Sequence, residues 1–380
     1  MKILRSTHTV NPARGGPIES IRQSSAALLR RGHEVEIVSL DAPDDPWVRD
    51  APASVHALGP GLGSYGYSSR FSRWIKEHRA EFDAVIVQGL WQYSSFGVWR
   101  ALARTATPYF VFPHGMLDPW FKRTYPLKHL KKLFYWPWGE YRVLRDAAAV
   151  LFTSEEERRL ARESFGLYRC KEVVVNYGTA APANLEGARE AFFNAFPNLR
   201  GERFLLFLGR LHEKKGCDLL VEAFGQVRNS SERVRLVMAG PCAHPDYLRH
   251  LRQLAASSNG LISFPGMLTG DVKWGALSAA EAFTLPSHQE NFGIAVAEAL
   301  ASGTPVLLSN KVNIWREIEA DGAGYVENDD LAGTTNLLNR WLATPPDARS
   351  AMQENARKSF ANRFEIERAT DSLLAAIANP

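Results

Sequence analysis

Cysteine is scarce: three residues in 380, Cys170, Cys217 and Cys242, with no metal-binding spacing among them. So sparse and odd a set excludes a disulfide scaffold and predicts a reducing compartment. Long apolar runs are missing as well, and no stretch approaches the ~20 residues that a membrane span requires. Met1-Lys2-Ile3-Leu4-Arg5 leads straight into a polar loop rather than into the apolar core of a secretory signal. The expected location is cytoplasmic. Neither sign of charge dominates: 45 Lys and Arg against 41 Asp and Glu leave a net charge of +4. That mild excess fits anionic ligands or a peripheral contact with an anionic surface. Without any nucleic-acid-binding module it gives no reason to expect a nucleic-acid partner. Also missing are an Asp-x-Asp pair and any His/Cys/Asp cluster at metal spacing, so no metal and no cofactor are expected.

What is present is an alternation of strands and helices. Lys2–Ser6 reads as a strand, Asn11–Pro17 as a Gly-rich loop, 18–31 as an amphipathic helix and Glu34–Leu40 as a β-branched strand. Apolar strands recur at Ala84–Val87, Tyr109–Phe112, Ala149–Phe152 and Glu172–Val175. After a lapse at Asn176–Gly201 a second series follows: Phe204–Leu208, Arg235–Ala239, Leu261–Phe264, Ala282–Leu285 and Val306–Leu308. This predicts α/β architecture, with two doubly wound Rossmann-like domains facing a central cleft. The expected boundaries are 1–180 and 181–365, with a helix at 366–380 crossing back to the first domain.

The most informative stretch is Ser287–Val306. Glu290 falls in a turn after an apolar strand, Gly293 opens an Ala-rich helix, and Glu298 lies eight residues beyond Glu290. A helix N-terminus offers free N–H groups and a positive dipole end, which suit a phosphate. Two carboxylates beside an anion site suit the hydroxyls of a sugar and a ribose. The loop Gly209-Arg210-Leu211-His212-Glu213-Lys214-Lys215-Gly216 follows another strand, and places Arg210 and Lys215 where both cations can face a diphosphate. A solvated charged turn is the plainer reading of that loop alone.

Three further segments carry weaker signals. Arg14-Gly15-Gly16-Pro17 allows close backbone approach after the first strand. His114 ends the strand Tyr109–Phe112, although a lone histidine is more often structural. Gly61-Leu62-Gly63-Ser64-Tyr65-Gly66 spells a dinucleotide fingerprint but does not lie in the first βα turn. It reads instead as a mobile cleft loop. Trp120–Trp138 interleaves Lys122, Arg123, Lys128, Lys131 and Lys132 with aromatics. A helix from Pro126 would carry Leu127, Leu130 and Phe134 on one face. That helix either lies on an anionic membrane or packs this face into the first domain.

Together these segments resemble the GT4 glycosyltransferases of GT-B fold. The Glu290-to-Glu298 element, the Gly209–Gly216 loop, His114 and the Gly15-Gly16 loop carry the resemblance. It implies a retaining, metal-independent transfer of a hexose from a nucleotide-diphosphate sugar to a hydroxyl acceptor. The donor would be GDP-mannose or a UDP-hexose. The acceptor would be a glycan or lipid-linked precursor of a cell-surface polysaccharide or glycolipid, met at the inner face of the cell membrane. The resemblance also implies roles. Glu290 and the amides of Asn291, Phe292 and Gly293 would hold the donor sugar and phosphate, and Glu298 the ribose. Arg210 and Lys215, with Gly209, would hold the diphosphate. His114 would contact the sugar, Gly15 and Gly16 would approach the donor, and Gly266 and Met267 would lie near the base. Many relatives have an acid after the active-site histidine where this chain has Gly115, leaving open what orients His114. Rival readings are a sugar-nucleotide epimerase, which needs no acceptor, and a non-catalytic sugar-nucleotide-binding protein.

Overall fold

A computed structural model describes residues 1–227 and 234–379. The chain forms two compact units, Met1–Gly178 together with the segment from Ile366, and Thr179–Glu365.

The first unit is built on a parallel sheet of seven strands. They are β1 (Lys2–Ser6), β2 (Glu34–Ser39), β3 (Ser54–Ala57), β4 (Ala84–Gln88), β5 (Tyr109–Phe112), β6 (Ala149–Phe152) and β7 (Glu172–Val174). Their order is β3-β2-β1-β4-β5-β6-β7. The order reverses between β1 and β4, and in such sheets ligands collect outside the carboxyl ends at that reversal. β5 and β6 are uninterrupted apolar runs, and β4 is one up to Gln88, because helices cover both faces. Ala84, Val85, Ile86 and Val87 are all fully buried. Leu4, Val85 and Val111 pack on one face, and Ile3, Ile86 and Phe110 on the other. The C-terminal helix Ile366–Ala378 completes this second face with Leu373, Ala376 and Ile377. Arg30 and Arg31 reach Glu367 at 2.8 Å, and Arg31 also pairs with Asp371.

The second unit repeats the plan with β8 (Arg203–Leu208), β9 (Val234–Ala239), β10 (Ile262–Gly266), β11 (Ala282–Leu285), β12 (Val306–Ser309) and β13 (Gly324–Glu327). Their order, β10-β9-β8-β11-β12-β13, reverses between β8 and β11.

The alternation expected from sequence is present, with local differences. β13, and β3 as a paired strand, were not foreseen. β10 runs on through an irregularity to Gly266, so Gly266 ends a strand instead of lying in the loop beyond Phe264. The segment Gly61–Gly66, expected to be a mobile cleft loop, closes on itself. Leu62 and Tyr67 bridge, the Gly66 N–H donates to Leu62 O, and the Tyr93 N–H donates to Tyr65 O at 2.8 Å. Its glycines serve a compact turn.

Candidate functional site

In the second unit the two strands at the reversal each deliver one loop. β8 runs into Gly209–Gly216 and β11 into Pro286–Gly293. The loops are bonded to one another: Lys214 O accepts from the His288 N–H at 2.9 Å and from Ser287 Oγ at 3.0 Å. Gly216, at φ +63, lies so close to Pro286 O that a side chain there would collide with it. This contact brings Lys215 against Glu290, with Lys215 Nζ donating to Glu290 Oε2. Burial alone would push the Glu290 carboxyl up, but Lys215, Lys214 and the Asn291 N–H hold it below its usual value. The pair is therefore ionic, a carboxylate held by a lysine on the neighbouring loop. Glu290 is fixed from behind as well. Its N–H donates to Lys311 O and its carbonyl accepts from the Asn313 N–H.

Gly293 then takes the left-handed conformation, φ +73, and caps the helix Ile294–Ala301. No side chain caps that end, so its dipole is available to an anion. Arg210 is exposed on the same loop as Lys215, and Gly209 donates to Ala239 O at the end of β9. Gly266 O accepts from the Gly240 N–H at 2.7 Å, and Met267 beside it is 66% exposed. The carboxyl ends of β8, β9 and β10 thus form one glycine-rich rim. Asn291 donates its N–H to Glu290 Oε1, and Phe292 is buried against Phe364. Glu298 is buried in the helix Ile294–Ala301 and paired with Lys273 at 2.6 Å.

In the first unit Gly15, φ +85, precedes the helix Gly16–Arg30, whose first turn bonds back to the Gly15 carbonyl. His114 follows β5 in the left-handed region, φ +51. Its ring stacks on Phe112, with centroids 5.5 Å apart and planes at 11°. Its Nε2 meets Gln88 Oε1 at 2.7 Å, at the end of β4. Burial and then the nearby Arg5 guanidinium push the imidazole down to about 4, so His114 is neutral at pH 7 and acts as a hydrogen-bonding group. Gly115 has no side chain of its own to orient the histidine. Its N–H donates instead to Glu157 Oε1 at 2.6 Å, and Glu157 also binds Thr153 through N–H and Oγ1. Glu157, on the helix Glu155–Ala161, thus fixes the backbone of the loop just after the histidine.

Two protein-family models match this chain. Residues 15–178 match the Glycosyl transferase 4-like domain and residues 188–359 match Glycosyl transferases group 1. The chain belongs to the GT4-like glycosyltransferases. It is an enzyme of GT-B fold. A curated relative, the D-inositol 3-phosphate glycosyltransferase of Mycobacterium tuberculosis, is 25% identical over 95% of this chain and 78% of its own length. Among solved structures, sucrose-phosphate synthase from Thermosynechococcus elongatus superposes with TM-score 0.78 at 21% identity, covering 98% of this chain and 97% of its own. Anabaena Alr3699/HepE, solved in complex with UDP-glucose, superposes with TM-score 0.79 at 16% identity over the whole of both chains.

Within this transferase the structure brings Lys215 and Glu290 together, lays Gly209, Arg210, Gly266, Met267 and Gly293 along one sheet edge, and places Gly15, Gly16 and His114 in the other unit. Gln88 and Glu157 were missed from sequence. Gln88 carries little signal beyond being a polar residue at the end of an apolar strand. Glu157 does carry one: Ser154-x-x-Glu157 has the spacing of a helix-capping pair. Ser154 Oγ does cap the Glu157 N–H at 3.1 Å, while the carboxylate turns to the histidine loop.

The Trp120–Trp138 segment also resolves. The helix Pro126–Tyr135 buries His129, while Leu127 is 79% exposed, Leu130 50% and Phe134 75%. The expectation that this face packs into its domain fails within that unit, since the unit's core contacts His129 and Trp136 instead. Between this helix and the histidine loop lies a cavity of about 220 Å³, whose lining includes Met116, Phe121, Lys128, His129, Lys132 and Phe165. Burial and then Lys128 push the Lys132 amine down to about 8, against the pull of Glu140. Among the described residues no helix is long and apolar enough to cross a membrane, and no three His, Cys, Asp or Glu side chains are grouped as metal ligands.

Proposed function

We propose that this transferase moves a hexose, with retention of anomeric configuration and without a catalytic metal, from a nucleoside-diphosphate sugar to a hydroxyl of a cell-surface glycan or glycolipid precursor. The Lys215–Glu290 pair, at the reversal of the second sheet and beside the uncapped helix at Gly293, is the observation that carries this reading. Glu290 is a fixed carboxylate for sugar hydroxyls. Lys215 and Arg210 are fixed cations for the diphosphate, and the helix dipole adds to them as the C1–O bond breaks. In this role they take the place that a bridging metal would occupy. The acceptor hydroxyl enters on the face the diphosphate leaves, and a diphosphate oxygen takes its proton. Glu298 lies one turn inside the same helix and is proposed to serve the ribose after exchanging its bond with Lys273. Neutral His114 offers a hydrogen bond to the sugar, with its ring held by Gln88 and the backbone after it held by Glu157. The uridine nucleotide of Alr3699/HepE favours a UDP-hexose over GDP-mannose as donor.

The exposed Leu127, Leu130 and Phe134 face, flanked by Arg123, Lys128, Lys131 and Lys132, fits the inner face of an anionic membrane. It would hold the cavity beside it near a lipid-linked acceptor. A thermal-shift screen against UDP, GDP, ADP and their sugar conjugates, with and without chelator, tests the donor assignment. Stabilisation by one nucleotide, unchanged by chelator, is expected. Stabilisation that disappears with chelator would overturn metal independence, and no response to any of them would overturn the donor site.

A further inference from the structure

One buried cation in the first unit is not explained by the fold. Arg5, near the carboxyl end of β1, is 2% exposed. Its Nε and Nη2 have no hydrogen-bond partner among the described residues, and no carboxylate among them pairs with it. Burial pushes the guanidinium down to about 10, with only the Tyr177 phenol acting against that shift. Buried charges in folded proteins are otherwise paired or bound to a ligand.

A second buried donor lies on the adjacent strand. Arg5 pairs in register with Ile86 of β4, and Gln88 is two residues further along, on the same face of the sheet. Gln88 Oε1 is taken by His114, while its Nε2 is buried and also has no partner. The Tyr177 ring lies 5.9 Å from that of His114, and its hydroxyl bonds to Ser20. Arg5 and Gln88 flank the β1–β4 reversal, where ligands of such sheets bind. Three N–H-bearing atoms, one group cationic and all without a partner among the described residues, form a donor set that an acceptor-rich anion would complete while also balancing the charge.

We propose that Arg5 and Gln88 form an oxyanion receptor beside His114, which takes a phosphate or carboxylate group carried by the acceptor substrate. This rests on the reading above that the chain is a sugar transferase. The transferred sugar would then go to a hydroxyl near that anionic group, and a neutral acceptor of the same shape would be a poor substrate.

The test is melting of the full chain in inorganic phosphate, against chloride at matched ionic strength, both without nucleotide and with the donor site saturated by UDP. The wild type is expected to gain stability with phosphate under both conditions. Arg5→Met should need at least tenfold more phosphate for the same gain, and without phosphate should melt at or above the wild type, because an unpaired buried charge has been removed. Arg5→Lys keeps the charge without the planar fork and should fall between the two. An equal phosphate response in Arg5→Met would overturn the proposal. So would a marked fall in its melting temperature without phosphate, which would mean that the guanidinium is a structural element. Loss of the wild-type phosphate response on saturation with UDP would overturn the assignment to the acceptor and give the receptor to the donor diphosphate. A phosphate response through Arg5 in a chain that binds no nucleotide would defeat the transferase reading while supporting the receptor.

Discussion

Replacing Lys215 with Met removes the cation from Glu290 while keeping most of the apolar stem. The two side chains are only 14% and 21% exposed, so water cannot replace the lost partner. Removing one member of a buried ion pair costs about 3–5 kcal/mol. The remaining exposure and the nearby Lys214 bring the expectation here to about 2–3 kcal/mol. At roughly 2–4 °C per kcal/mol for a domain of this size, the second unit should melt about 5–10 °C lower at pH 7. The pH dependence gives a sharper check. In the wild type the Glu290 carboxyl is held below its ordinary value of 4.5. It therefore stabilises the fold above that value, and the contribution is lost as pH falls. In Lys215→Met burial is left without its main opponent and the carboxyl rises above 4.5. The variant then carries a penalty at neutral pH that disappears as pH falls through the raised value. The deficit relative to wild type should shrink steadily between pH 7 and pH 4. The double variant Lys215→Met with Glu290→Gln should regain most of the stability at pH 7 and none of the transferase activity. Melting by circular dichroism over that range is the assay. A Lys215→Met protein that melts within a degree of wild type at pH 7, or with a deficit constant in pH, would refute the reasoning.

Three other perturbations have defined outcomes. His114 is neutral in the fold, depressed from 6.5 to about 4, so its contribution is complete above pH 6.5 and about 2–3 kcal/mol is lost by pH 4. His114→Asn, which tolerates the left-handed backbone, should remove that acid-sensitive loss from the melting profile while reducing turnover. Gly216→Ala would place a side chain against Pro286 O at φ +63. It should cost about 2–4 kcal/mol, measured by urea unfolding, and weaken UDP binding by displacing Lys215. Changing Leu127, Leu130 and Phe134 together to Ser should leave melting unchanged because all three are exposed. It should reduce sedimentation with anionic vesicles at least tenfold, at ~1 kcal/mol or more per inserted side chain.

The strands at the middle of each sheet were legible because parallel strands covered on both faces must be continuous apolar runs, as at Ala84–Val87 and Phe204–Leu208. β3 and β13 were not, because half-buried edge strands such as Ser54–Ala57 carry too few apolar residues to stand out from loops. The turn chemistry around Glu290 and Gly293 was readable, since a helix entered through a left-handed residue favours glycine. What the sequence could not convey was pairing at a distance. Lys215 and Glu290 are 75 residues apart, and only the β8–β11 adjacency makes them neighbours. The same holds for Gln88 and Glu157 around His114. Arg5 did carry a signal that went unused: an arginine directly after Ile3 and Leu4 and before Ser6, near the carboxyl end of a short strand, must be buried if that strand is central. The fate of the Leu127–Phe134 face was undecidable from periodicity, because an amphipathic pattern is the same whether its apolar side meets a core or a membrane.

The central claim is that the loops after β8 and β11 hold a nucleoside diphosphate without a metal. The most direct measurement is calorimetric titration of the full chain with UDP in the presence of chelator, for the wild type and for Lys215→Met. The account predicts one UDP bound per chain, unaffected by chelator and weakened at least tenfold by the substitution. Binding that requires a divalent cation, or that is as tight in Lys215→Met as in the wild type, would contradict it.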